Sequence, residues 1–148
     1  MMTIAVIDDE ETARKMTGRI LSNAGYSVET FASGPPFLQK MEQEPFDIVF
    51  LDLQLPDMGG MEILSHIKFI HRWTQVIIVT GHGSIDNAVK ATQQGAFQYL
   101  TKPCRSHDIC LMAERATEKI TLHRENDRLR SQVGEQCLLP GFIGNSKA

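Results

Sequence analysis

Short apolar runs alternate with longer stretches of helical periodicity along most of this chain, and that alternation limits the fold more than any other feature. Five such runs lie at residues 3–7, 27–31, 47–51, 76–80 and 97–100. The first, third and fourth are nearly continuous in Ile, Val, Leu or Phe, as in strands buried on both faces of a parallel sheet. Gly25 and Gly95 follow helical stretches and are placed to end them. The pattern predicts an α/β fold with a doubly wound five-stranded parallel sheet and helices on both faces.

Composition narrows the class of protein further. The chain has 148 residues and is 42% hydrophobic, which suits one packed domain and argues against global disorder. Its net charge of −3 argues against a general nucleic-acid binder. No apolar run approaches the roughly 18 residues of a membrane span, and the N-terminus shows no cleavage signal, so we expect a cytoplasmic protein. The cysteines are too few and too irregular for a disulfide framework or a zinc site, and reduced thiols are expected at Cys104, Cys110 and Cys137.

Polar residues follow the predicted strands at the point where each strand ends. Ligands of doubly wound sheets bind outside the carboxyl ends of the strands. Asp8 and Asp9 follow the first run, and Asp52 follows the third. An aspartate after a strand is often only a turn or helix cap, but three at one edge would repel each other unless a divalent cation lay between them. The sequence therefore predicts a site for Mg²⁺ or Mn²⁺, with Glu10 facing the first helix instead.

Two further residues point to phosphoryl transfer. Lys102 follows the fifth run and could pair with Asp52 or with an added phosphoryl group, although a lysine after a strand is usually just solvated. Pro103 favours the first reading, because an X-Pro bond can be cis and can fix a turn. Thr80 could donate a hydrogen bond to a phosphoryl oxygen, or could simply favour a strand. Together these groups predict nucleophilic attack by Asp52 on a phosphoryl donor.

Four stretches of this chain resemble the receiver domain of bacterial two-component response regulators. They are IDDE at 7–10, LDLQLPDMGG at 51–60, TGHG at 80–83 and LTKP at 100–103, and the resemblance covers residues 2 to about 120. It implies a flavodoxin-like sheet with strand order 2-1-3-4-5. Asp52 resembles the phosphoacceptor. The resemblance also implies that Asp52, Asp8, Asp9 and the backbone carbonyl of Gln54 bind the metal.

The same resemblance assigns the remaining site residues and the partners. Thr80 and Lys102 match the residues that hold the phosphoryl group, and Tyr99 matches an aromatic that turns inward when Thr80 moves toward the phosphate. The implied donor is a sensor histidine kinase or a histidine phosphotransfer protein. Cys104 departs from the family, in which an aromatic often follows Lys-Pro. The chain is thus expected to be a signalling domain that catalyses only its own phosphorylation and dephosphorylation.

The last third of the chain reads as one extended helix from 106 to about 133. Its first half carries an apolar face that can lie on the sheet, made of Ile109, Met112, Ala113, Ala116 and Ile120. Its second half has a four-three-four spacing that predicts a parallel coiled-coil dimer, although a solvated tail with a chance seam is an alternative. The residues of this predicted seam are Leu122, Asn126, Leu129 and Val133.

The resemblance also extends to a sub-family. TGHG at 80–83 followed by AVKA at 88–91 is similar to receivers of the NtrC class, and residues 142–148 look like the opening of the AAA+ domain of sigma-54-dependent activators. The expected organisation is a receiver at 1–120, a helical dimerisation linker at 121–139 and the start of a truncated AAA+ domain at 140–148. DNA and sigma-54 RNA polymerase would then be reached only through domains that this fragment lacks.

Two other functions share the acidic edge. A magnesium-dependent phosphatase of the haloacid dehalogenase type would need a second aspartate two residues after the nucleophile, where this chain has Gln54. An unphosphorylated pseudo-receiver, acting only as an interaction module, would be expected to lack one of the key residues, and none is missing.

Overall fold

Five strands and five helices alternate along the chain. The computed structural model describes residues 2–56, 58–81 and 85–136, with side chains described as far as 129. The elements are β1 Thr3–Ile7, α1 Glu11–Asn23, β2 Ser27–Phe31, α2 Gly34–Gln43, β3 Ile48–Leu51, α3 Gly60–Ile70, β4 Gln75–Thr80, α4 Ile85–Gln93, β5 Gln98–Thr101 and α5 Ser106–Gln136.

All five strands form one parallel sheet in the order β2-β1-β3-β4-β5. This confirms the predicted fold class and strand order. The register pairs Ile7 with Leu51, and Leu51 with Ile78, so β1, β3 and β4 end close together at one edge. Strand β3 is buried along its whole length, which explains its unbroken apolar sequence.

The two predicted helix-ending glycines lie where the chain turns back toward the sheet. Gly25 and Gly95 have φ angles of +102° and +105°, a region that glycine enters without a Cβ penalty. At the end of α4, the Gly95 N–H donates to the Thr92 carbonyl and the Ala96 N–H donates to the Ala91 carbonyl. This is the Schellman arrangement, which satisfies the last carbonyls of the helix.

The chain divides into two compact units, Met1–Thr117 and Glu118–Ala148. In the first unit, α5 buries Ile109, Met112, Ala113 and Ala116, as predicted for its sheet-facing side. The helix was predicted to end near residue 133, but it continues through Gly134 to Gln136. A single glycine lowers helix stability by only about 1 kcal/mol and need not end a helix. Residues 137–148, which include Cys137 and the predicted AAA+ segment, lie outside the described part of the chain.

The predicted boundaries at 120 and 139 stay predictions. No helix in the described ranges is both long enough and apolar enough to cross a bilayer.

Candidate phosphorylation site at the carboxyl edge of the sheet

Three carboxylates meet where β1 and β3 end. Asp8 and Asp9 follow β1 directly, and Asp52 follows β3. One oxygen from each of the three lies within 4.8 Å of the others. Asp8 and Asp52 are only 6% and 7% exposed, whereas Asp9 is open to solvent. The structure therefore brings together the aspartates that the sequence analysis grouped, because adjacent parallel strands end at the same edge.

Lys102 bridges the two buried carboxylates. Its Nζ donates to Asp8 Oδ2 at 2.7 Å and to Asp52 Oδ2 at 3.1 Å. The Lys102 backbone N–H donates to the Thr80 carbonyl at 2.8 Å, which fixes the lysine beside β4. Burial by itself lowers the pKa of Lys102, but the hydrogen bonds and negative charges of Asp8 and Asp52 outweigh it and raise that pKa. The predicted pairing with Asp52 is present, and the contact with Asp8 is an addition that the sequence did not specify.

The second oxygen of each buried carboxylate accepts a backbone N–H two residues along. The Glu10 N–H donates to Asp8 Oδ1 at 3.0 Å, and the Gln54 N–H donates to Asp52 Oδ1 at 2.9 Å. Burial nevertheless raises the pKa of Asp52 and the neighbouring Asp8 charge adds to this, although the bonds from Gln54 and Lys102 oppose it. The single positive charge of Lys102 thus does not balance the negative charge of the three clustered carboxylates.

A divalent cation fits this donor set. The three carboxylates supply hard oxygen ligands of the kind that Mg²⁺ and Mn²⁺ prefer, and the exposed Asp9 leaves the cluster open to solvent. A bound cation would also offset the repulsion from Asp8, which adds to the effect of burial in raising the pKa of Asp52. Glu10 occupies the N-cap position of α1 and makes no side-chain capping bond there. It lies at the start of the first helix, as predicted.

Thr80 and Tyr99 lie on the neighbouring strands β4 and β5. Thr80 is the last residue of β4 and is 1% exposed. Tyr99 is half-buried and packs against the hydrophobic core. Its hydroxyl is buried, and within the described residues it has no hydrogen-bond partner. His82 and Gly83 of the TGHG motif lie outside the described residues.

Two residues that the sequence analysis did not single out also shape this edge. Gly60, the first residue of α3, lies so close to the loop after β3 that a Cβ there would be 2.4 Å from the Leu53 Cα. Arg14 in α1 reaches back with Nη1 to donate to the Asp8 backbone carbonyl at 2.9 Å. The only sequence signals were a glycine pair before an apolar periodic segment and an arginine six residues after Asp8.

The predicted seam lies in the second unit. Leu122 is 65% exposed and Leu129 is 56% exposed, while Asn126 is also open to solvent. Val133 is helical, but its side chain is outside the described part. Large apolar side chains at this exposure on a helix indicate a face that can be covered. Cys104 and Cys110 are free thiols, as expected, and burial raises the pKa of Cys104.

Comparisons with known proteins agree with this geometry. Residues 4–114 match the family model of the response regulator receiver domain. An NtrX-like response regulator of Rickettsia bellii is 34% identical over 148 residues, which is 99% of this chain and 30% of the relative. This chain thus spans about 30% of the length of curated relatives that it matches.

Solved structures give the same result. The crystal structure of NtrX from Brucella abortus is 33% identical with a TM-score of 0.85, over 100% of this chain and 32% of that one. The solution structure of the beryllofluoride-activated NtrC4 receiver domain dimer is 33% identical with a TM-score of 0.78, over 81% of this chain and 99% of that one. These similarities confirm the predicted resemblance to receivers of the NtrC class.

Proposed function

This chain belongs to the response regulator receiver domain family, and we propose that it is a phosphorylation switch in which Asp52 accepts the phosphoryl group. The observation that carries the proposal is the meeting of three carboxylates with the Lys102 ammonium at one sheet edge. The proposed donor is a phosphohistidine on a sensor kinase or a phosphotransfer protein, and the proposed compartment is the cytoplasm.

In the proposed reaction, an oxygen of ionised Asp52 attacks the phosphorus of the phosphohistidine. The P–O bond forms, the P–N bond breaks, and its electron pair leaves with the imidazole nitrogen. Lys102 already touches Asp52, so its ammonium is placed to stabilise charge on the transferring group. Thr80, buried at the end of β4, is the proposed donor to a phosphoryl oxygen once the group has arrived. Asp8, Asp9, Asp52 and the Gln54 carbonyl would hold Mg²⁺ or Mn²⁺, which supplies further charge neutralisation when bound.

Chemical trapping tests the acceptor. The chain is incubated with acetyl phosphate and Mg²⁺, reduced with borohydride and digested, and the modified residue is mapped by mass spectrometry. We expect modification at Asp52 in the wild-type chain and none in Asp52→Asn. Asp86→Asn, which changes an exposed aspartate on α4, should be modified like wild type. Modification at another residue, or undiminished modification of Asp52→Asn, contradicts the proposal.

The same experiment separates the pseudo-receiver alternative, and an assay of phosphate-ester hydrolysis beside it separates the phosphatase, which would also form an aspartyl adduct. A phosphatase would turn over an external phosphate ester continuously, and a pseudo-receiver would yield no aspartyl adduct. The exposed Gln54 provides no second carboxylate for the phosphatase reaction.

We further propose that the output is a change in pairing between two copies of the chain. The support is the exposed Leu122 and Leu129 on α5, together with the exposed Ile85 and Val89 on α4. Sedimentation with and without beryllofluoride tests this, and an unchanged molecular mass and shape contradicts it. Control of sigma-54-dependent transcription is proposed for a longer protein of which this chain would be the receiver.

A further inference from the structure

Arg14 contacts the acidic edge from helix α1. It is a half-buried residue of α1, and its backbone N–H donates to the Glu10 carbonyl at 2.9 Å. Its guanidinium turns back toward the sheet, and Nη1 donates to the Asp8 backbone carbonyl at 2.9 Å. One residue thereby connects the first helix to the turn that carries two of the three clustered carboxylates.

The carbonyl that Arg14 contacts has a specific need for a donor. Asp8 lies just beyond β1, and its N–H donates to the Phe31 carbonyl of β2 at 3.1 Å. On the β3 side, the Asp52 N–H donates to the Ile7 carbonyl and not to that of Asp8. The Asp8 carbonyl is therefore past the end of the ladder, in a residue that is only 6% exposed. A carbonyl in such a place is costly without a donor. Arg14 satisfies it.

With that bond, Asp8 is held at every polar group. Its N–H is fixed by β2, its carbonyl by Arg14, one carboxylate oxygen by the Glu10 N–H and the other by Lys102. A cation in the cluster would take a further lone pair of the Asp8 carboxylate, beside its contact with Lys102. The backbone contacts then determine whether the carboxylate stays aimed into the cluster.

We propose that Arg14 is a positioning residue for the metal-binding carboxylates, acting through the Asp8 carbonyl. The inference rests on the proposed function, in which these carboxylates hold a divalent cation.

Replacement of Arg14 should have two opposite effects on metal affinity, one through its charge and one through the position of Asp8. The Arg14 charge repels an incoming cation, so its removal alone would tighten metal binding. That charge is partly solvated and therefore screened. Loss of a partner that orients a metal ligand typically weakens binding 10- to 100-fold. Loss of the orienting hydrogen bond should therefore outweigh loss of the repulsive charge. Weaker metal binding in the variant would show that positioning dominates, and tighter binding would show that charge dominates.

The test is a titration of the unphosphorylated chain with Mn²⁺, with free Mn²⁺ followed by electron paramagnetic resonance. Arg14→Met removes both the donor and the charge and should weaken binding roughly tenfold. Arg14→Lys keeps a charge and one donor and should recover part of the loss. Arg19→Met removes an exposed arginine from the same helix and should bind Mn²⁺ like wild type.

Each outcome is decisive. Binding by Arg14→Met that is equal to or tighter than wild type overturns the positioning role. If Arg14→Met does not fold, Arg14→Lys decides alone: weaker binding supports the role and unchanged binding overturns it. Absence of Mn²⁺ binding in the wild-type chain overturns the proposed metal site together with this inference, and so differs from failure of the positioning role alone.

Discussion

Replacement of Gly60 by alanine should both destabilise the domain and impair its chemistry. The added Cβ would lie 2.4 Å from the Leu53 Cα, 2.7 Å from the Asp52 carbonyl oxygen and 3.0 Å from the Leu53 carbonyl carbon. All three are backbone atoms of the loop that carries Asp52, so no flexible side chain can move aside. The Gly60 N–H also donates to the Leu53 carbonyl at 3.0 Å, a bond that the displaced loop would stretch.

The expected loss follows from these contacts. Overpacking against backbone costs about 1–3 kcal/mol, and loss of the hydrogen bond adds about 1 kcal/mol. The lower entropy of the unfolded alanine chain returns about 0.4–1 kcal/mol. A net loss of roughly 2 kcal/mol should lower Tm by roughly 8 °C in a domain of this size. Phosphorylation should slow as well, because the loop that aims Asp52 has moved.

Gly59→Ala is the matched control, because a Cβ at Gly59 meets nothing within 4 Å. Its backbone is extended, with φ −67° and ψ 140°, a conformation open to alanine. Thermal unfolding followed by circular dichroism should place Gly59→Ala near wild type. Equal Tm values for Gly60→Ala and Gly59→Ala would refute the reasoning.

Three further perturbations have expected outcomes. Lys102→Met leaves Asp8 and Asp52 without their shared cation and should lower metal-free stability at pH 7 by about 1–3 kcal/mol in urea unfolding, with part of the loss recovered in Mg²⁺. Burial raises the pKa of Asp52 on folding, so its ionisation opposes folding as pH rises through that pKa. Metal-free Asp52→Asn should therefore melt above wild type at pH 7, and the gap should shrink as pH falls through the raised pKa and be gone below about 4. Leu122→Ser combined with Leu129→Ser should sediment as a monomer under conditions in which wild type pairs, because it removes the two exposed apolar side chains of the seam.

Each of these three predictions has a matched control variant. Lys40→Met removes a solvated pair with Glu44 and should change stability by less than about 1 kcal/mol. Asp86→Asn, which removes an exposed carboxylate elsewhere, should not melt above wild type at pH 7. Arg128→Ala, which changes an exposed side chain outside the seam, should leave pairing intact. The first prediction is contradicted if Lys102→Met is as stable as wild type. The second is contradicted if the difference in Tm between Asp52→Asn and wild type does not change with pH, and the third if the double serine variant still pairs.

The fold could be predicted from the sequence because a strand that is buried on both faces of a sheet must be apolar along its whole length. β3 had to be apolar throughout, and the polar residue that ends such a run therefore marks the sheet edge. The strand ends alone place Asp8, Asp9 and Asp52 together, since the register of parallel neighbours sets which residues share an edge. The grouping of these three aspartates could therefore be predicted before any coordinates were known.

Contacts that depend on how helices pack could not be predicted in this way. The Arg14 bond to Asp8 depends on the direction in which α1 leaves the sheet, and the Gly60 contact depends on how closely α3 approaches the loop after Asp52. Neither the direction of α1 nor the distance between α3 and the loop can be predicted from the local sequence. The second Lys102 contact, to Asp8, was missed for a similar reason: the reach of a long side chain between two carboxylates is a tertiary property.

The central claim is that Asp52 receives the phosphoryl group in a site completed by a divalent cation. A ¹H–¹⁵N correlation spectrum of the chain, recorded with beryllofluoride in the presence and absence of Mg²⁺, tests it most directly. The account predicts large shifts for the amides around Asp52, Thr80 and Lys102 when beryllofluoride and Mg²⁺ are both present, beyond the shifts that Mg²⁺ alone causes. It predicts no beryllofluoride-dependent shift in Asp52→Asn. Shifts of the same size in Asp52→Asn, or in wild type without any divalent cation, would contradict it.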